Sequence, residues 1–139
     1  MKELKFLHPL DIDVKWGELD MLGHLNNVVF IRYFESSRIH VMMQSGIWDL
    51  FAKQGLSVVL AKIDCNFLAP VHFPDKIQAQ CALVSVGNSS IVVEHQLISK
   101  KTNQLVAHGQ GVMVCFDFKK QTSAQIPAEL KQILIDRLL

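Results

Sequence analysis

Little in this chain marks a secreted, metal-binding or nucleic-acid-binding protein. It has three cysteines, Cys65, Cys81 and Cys115, odd in number, far apart and set in apolar runs. They offer no C-x-x-C or Cys/His zinc spacing, and they read as buried free thiols in a reducing compartment. Charge of one sign is missing: 14 Lys and Arg against 13 Asp and Glu leave a formal net charge of +1. No global basic field therefore argues for nucleic acid or an anionic membrane surface. Apolar runs are short, and none approaches membrane-spanning length. The opening MKELKFLHPLDIDVKW lacks the apolar stretch and small-residue cleavage site of a leader, so a cytoplasmic location is expected. The histidines at 8, 40, 95 and 108 show no metal-ligand spacing such as H-x-x-x-H. Gly109 and Gly111 lie within a strand pattern rather than a phosphate loop. No metal or cofactor is expected. Repeats, low-complexity tracts and linkers are also absent, and residues 1–139 read as one domain.

What is present is a large apolar fraction, 50% of the residues, enough for a sizeable core. Residues 10–16 alternate, with Leu10, Ile12, Val14 and Trp16 on one side, which predicts a half-buried strand. A loop follows over 17–23. One long helix is predicted from about His24 to Gln44, with Leu25, Val28, Ile31, Phe34, Ile39, Val41 and Met42 on its apolar side. Val29, Phe30 and Tyr33 widen that side, so the helix is expected to be covered on most faces. Residues 47–54 suggest a second short helix. Strands follow over 56–67, 76–86, 90–99 and 105–118, with hairpin turns at Gly87-Asn88-Ser89 and at 101–104. The two glycines of the last strand suit a bulge or a bend. Pro127 opens a C-terminal helix. Hairpin neighbours with one long helix argue for an α+β layer on an antiparallel sheet. Trp16 and Trp48 are read as packing anchors.

The chemistry concentrates in residues 16–38, WGELDMLGHLNNVVFIRYFESSR. Asp20 stands three residues before Gly23, and a polar run, His24-Leu25-Asn26-Asn27, opens the long helix. This layout sets a carboxylate beside a helix N-terminus, where unpaired N–H groups and the helix dipole are positive. Such an end can polarise a carbonyl oxygen while the carboxylate handles water or attacks the carbon. Hydrolysis of an activated acyl group is the reaction this suggests. Glu18 is the nearest rival carboxylate and is read as solvated, while Glu35 and Arg38 are read as structural or interface groups.

The run D-x-x-G-H-L-N-N followed by F-x-R-Y-F-E-x-x-R resembles the hotdog-fold acyl-CoA thioesterases of the 4-hydroxybenzoyl-CoA thioesterase type. The resemblance implies an α+β hotdog fold, a curved antiparallel sheet of about five strands wrapped around one long central helix. It also implies homodimers or homotetramers, with subunits paired edge to edge and active sites at their interface. By resemblance, Asp20 matches the catalytic carboxylate, acting as nucleophile or as general base for a water. Gly23 would let the backbone approach the thioester, and N–H groups around Leu25–Asn27, that of Asn27 foremost, would bind the carbonyl oxygen. The Asn26 and His24 side chains would position the loop, the water or the pantetheine arm. Some relatives carry a basic cluster at the turn before the fourth strand, where it meets the CoA phosphates. Here the turn reads Gly87-Asn88-Ser89-Ser90, without charge. Asn88 and Ser89 remain as substrate-binding candidates, with Lys62, Lys100 and Lys101 as cations from elsewhere. An acyl carrier protein then competes with CoA as carrier. A non-catalytic acyl-thioester-binding protein is the first alternative. A hydroxyacyl dehydratase is the second, on the strength of His72-Phe73-Pro74 alone.

Overall fold

The computed structural model describes residues 3–139. The strands are β1 (Leu10–Asp13), β2 (Leu56–Ile63), β3 (Asn66–Phe67), β4 (Lys76–Val86), β5 (Ser90–Ser99), β6 (Leu105–Asp117) and β7 (Thr122–Ser123). The helices are α1 (Asn27–Gln44), α2 (Ile47–Ala52) and α3 (Ala128–Leu138). Five strands form an antiparallel sheet in the order β1-β4-β5-β6-β2, and the short β3 and β7 add to β6. The sheet curls around α1, which is the hotdog arrangement expected from sequence.

The sheet follows directly from patterning. On β4, Ile77, Ala79, Cys81 and Leu83 alternate inward and are buried against α1. On β5, Ile91, Val93, Leu97 and also His95 do the same. The core has two ends. One gathers Leu25, Val29, Phe30, Tyr33 and Phe34 of the helix side with Ile77, Ala79 and Leu97. The other gathers Val41, Met42, Ile47 and Phe51 with Leu83, Met113 and Leu134.

Several expectations change. The first strand stops at Asp13, because Trp16–Glu18 turns into a single 3-10 turn and the Lys15 N–H donates to Glu18 Oε1 at 2.8 Å. Trp16 is 76% exposed and Trp48 41%, so neither anchors the core. The long helix begins at Asn27 rather than His24, since the Asn26 side chain caps it by accepting the Val28 N–H at 3.0 Å. Its faces also differ: Val28, Ile31 and Ile39 point outward, whereas Ser37 and Arg38 are buried. The strand expected over 56–67 splits into β2 and β3 around Asp64, whose N–H donates to Gln110 O and whose Oδ1 accepts the Gln110 N–H.

That crossing explains a glycine. A Cβ on Gly109 would collide with the Asp64 carbonyl oxygen and lie 2.8 Å from its carbonyl carbon. Both groups are backbone and cannot swing aside. Gly109→Ala is expected to cost about 1–3 kcal/mol, the usual range for overpacking. A lower urea midpoint with unchanged slope would show it, and an unchanged midpoint would refute it.

Candidate active site

The loop before α1 is fixed by its own hydrogen bonds. Asp20 Oδ1 accepts the N–H groups of Leu22 (2.9 Å) and His24 (3.1 Å). The Asp20 N–H donates to His24 O at 2.7 Å, and the Gly23 N–H to Asp20 O at 3.1 Å. Gly23 closes this turn at φ +78°, a conformation that costs glycine little and other residues more. One carboxylate oxygen thus holds the loop, and Oδ2 has no protein partner among the described residues.

The amides entering α1 are mostly committed. The Leu25 N–H donates to Val71 O at 2.8 Å and the Asn26 N–H to Glu18 O at 3.0 Å. Val28 donates to the Asn26 side chain. Among the described residues, the Asn27 N–H is left without a protein acceptor, the expected state of a first-turn amide. Asp20, His24, Leu25 and Asn27 line one open cleft of about 230 Å³. Its opposite wall is Phe30, Phe67, Leu68, Ala69 and Pro70. A carboxylate, a free helix-start amide and an apolar wall therefore share one solvent-reachable space.

The supporting shell was only partly anticipated. Glu18 is not a free surface acid, since Oε1 also accepts the Tyr33 hydroxyl at 2.8 Å. Burial, reinforced by that bond, pushes the Tyr33 phenol well above its ordinary range. The His24 ring meets the His72 ring edge to face, centroids 4.9 Å apart, so His72 braces the rim of the cleft. Removing the helix cap by Asn26→Ala is expected to cost about 1 kcal/mol of stability. It should also lower turnover, because the Asn27 amide sits next to the cap. Thermal melting beside a thiol-release assay checks both, and an unchanged melt refutes the first.

A family model described as the Thioesterase-like superfamily matches residues 14–134. The chain belongs to this superfamily. It is a thioester hydrolase of the hotdog fold. Among curated relatives, the acyl-acyl carrier protein thioesterase ATL3 of Arabidopsis thaliana is 23% identical over 131 residues, covering 94% of this chain and 68% of that protein. The long-chain acyl-CoA thioesterase FadM of Escherichia coli is 23% identical over 123 residues, covering 88% and 93%. Among solved structures, YbaW of Escherichia coli superposes with a TM-score of 0.85 at 21% identity, covering 95% of this chain and 99% of that one. No helix among the described residues is long and apolar enough to cross a membrane.

Within one protomer of this thioesterase, the remaining candidates lie away from the cleft. Lys62 is exposed on β2 and does not line it. Asn88 and Ser89 form the β4–β5 turn, where their carbonyls accept the N–H groups of Ile126 and Cys115. Asn88 borders a separate surface hollow with Gln125, Pro127 and Lys131. That turn is about 30 Å from the Asp20 end of the sheet, by the rise along β4. Lys100 is held by Asp11 at 3.3 Å.

Sequence reading missed a polar group in the core. Arg38 is 6% exposed and His95 fully buried. The Arg38 guanidinium Nη1 lies 3.4 Å from His95 Nε2, and His95 Nδ1 lies 3.2 Å from Gly109 O. The only neutral tautomer that suits both donates from Nδ1 and accepts at Nε2. The imidazole also stacks on Phe34 with centroids 4.7 Å apart. Burial, then the Arg38 charge, pulls the His95 pKa down to about 4.

Proposed function

We propose that this chain hydrolyses an acyl thioester carried on CoA or on an acyl carrier protein, releasing the free acid and the thiol. The observation that carries the reading is the shared cleft: Asp20 and the unpaired Asn27 N–H face an apolar wall built by Phe30 and Phe67 to Pro70. The acyl carbonyl would lie with its oxygen on the Asn27 amide, where the helix start is electropositive. Asp20 then either attacks the carbonyl carbon or removes a proton from an attacking water. In both routes the C–S bond breaks, the thiol leaves with a proton, and water supplies the oxygen of the acid. Gly23 and Asn26 hold the loop, and His24 lines the space that the pantetheine arm would enter. Relatives named for both carriers support the substrate class without favouring one carrier. Free β2 edges and the outward apolar residues of α1 support a homodimer or homotetramer. In that assembly Lys62, Asn88 and Ser89 could meet the carrier bound to a neighbour. Cys65, Cys81 and Cys115 are unpaired, which fits a reducing cytoplasm.

Steady-state thiol release from a panel of acyl-CoA and acyl carrier protein substrates tests the reading. Turnover of at least one is expected. Tight binding without turnover would replace it by the acyl-binding alternative.

A further inference from the structure

Asp20 and the Asn27 N–H reach the cleft from two different elements, a loop and a helix start. Their separation therefore depends on the angle at which the loop meets α1. The loop closes on itself, through the Asp20 N–H to His24 O bond at 2.7 Å and a bridge between Leu19 and Leu25. So braced, it moves as one body about its base. That base is Glu18.

Glu18 is tied to the helix at two levels. Its carbonyl oxygen accepts the Asn26 N–H at 3.0 Å, where α1 begins. Its Oε1 accepts the Tyr33 hydroxyl at 2.8 Å. Tyr33 stands six residues beyond Asn27 on α1, about 9 Å along the axis. One tether would leave a pivot, whereas two tethers set apart along the helix fix a direction. Tyr33 is suited to be the rigid post. It is 2% exposed and belongs to the buried cluster with Leu25, Phe34 and Ile77. Burial keeps its phenol protonated well above the ordinary range, so it stays a donor. Oε1 also accepts the Lys15 N–H at 2.8 Å, which holds the short turn after β1. Among the described residues, no other side-chain hydrogen bond joins the loop to α1 beyond its capped first turn.

We propose that Tyr33 is a positioning residue for thioester hydrolysis: acting through Glu18, it sets the Asp20 carboxylate at its working distance from the Asn27 amide. The role deepens the function proposed above and rests on it. A reacting carboxylate and an oxyanion donor must hold one acyl carbon between them, and a displacement of about 1 Å can cost roughly 10²-fold in rate. Tyr33 and Glu18 do not line the cleft, and the apolar wall from Phe67 to Pro70 belongs to other elements. Loss of the link should therefore appear in kcat rather than in KM.

Tyr33→Phe keeps the ring and removes only the donor. Assayed well below its melting temperature on the best acyl thioester, it is expected to lose about 10-fold in kcat, with KM within about twofold of wild type. Glu18→Ala is expected to lose about as much. The double variant Tyr33→Phe/Glu18→Ala should lose no more than Glu18→Ala alone, because the same link is cut. Glu18→Gln keeps an acceptor oxygen and is expected to restore most of the rate that Glu18→Ala loses. Amide hydrogen exchange supplies a readout free of catalysis. The Leu22, His24 and Asn26 amides are expected to exchange faster in Tyr33→Phe, while those of β4 and β5 do not change. A bond that serves stability alone predicts a lower melting temperature with full kcat, and that result overturns the positioning role while leaving the proposed function standing. Unchanged exchange in the loop does the same, and additive losses in the double variant overturn the route through Glu18. A wild type that turns over no acyl thioester overturns the proposed function and the positioning role together.

Discussion

Replacing Asp20 by asparagine is expected to lower kcat by roughly 10³-fold, the middle of the range for a lost general base, and to leave the fold unchanged. The two effects separate because the carboxylate does two jobs with two oxygens. Oδ1 accepts the N–H groups of Leu22 and His24 and so shapes the loop. The amide oxygen of asparagine can take over those bonds. Oδ2 has no protein partner among the described residues, and asparagine offers an NH2 group in its place, which neither attacks a carbonyl nor removes a proton from water. Asp20→Ala removes both functions, so it should lose activity to a similar degree and also melt at lower temperature. Rates on the best acyl thioester, set beside melting curves, distinguish the variants. If Asp20→Asn keeps more than a tenth of the wild-type rate, the carboxylate is not the reacting group. Glu18 would not inherit the role, since it does not line the cleft that holds Asp20 and Asn27.

The loop that opens the candidate site was legible because it is local. Asp20, Gly23, Asn26 and Asn27 fall within eight consecutive residues, and the bonds that arrange them run between near neighbours. The hairpins were legible for the same reason, since period-two alternation and turn residues act over short distances. The opposite wall was not. Phe67 to Pro70 reach the cleft because β3 pairs with β6 and Val71 O accepts the Leu25 N–H, contacts set by register across the sheet. The orientation of α1 was misread in part because apolar residues occur on all of its sides, so periodicity does not single out the buried one. Val28 and Ile31 face outward and Arg38 inward because His95, on a strand more than fifty residues later, supplies an acceptor in the core. Gly109 and Gly111 suggested a bend in the last strand. Their actual service is clearance, for the Asp64 backbone and for the His95 ring, whose Cε1 would lie 3.0 Å from a Cβ at Gly111.

The same imidazole should make the protein acid-labile at a pH where most carboxylates are still ionised. In the folded chain His95 stays neutral down to about pH 4, because burial and then the Arg38 guanidinium oppose a second positive charge. In the unfolded chain it takes up its proton near pH 6.5. Between those values the unfolded state binds more protons, so stability falls as pH falls. It is fully present above about pH 6.5, declines through that window, and its loss approaches about 3 kcal/mol by pH 4. That is a large share of the 5–15 kcal/mol that holds a typical domain together. His95→Gln keeps an acceptor and a donor in the cavity but cannot titrate. Its unfolding free energy is expected to be lower than wild type at pH 7, from imperfect packing on Phe34, and flatter between pH 6.5 and 4. Urea unfolding of both proteins across that range supplies the comparison. The carboxylates titrate in both proteins and drop out of the difference. Parallel pH profiles would mean that the core admits a charged imidazole. The Arg38 guanidinium, 3.4 Å away, would then have to move or be neutralised by an anion.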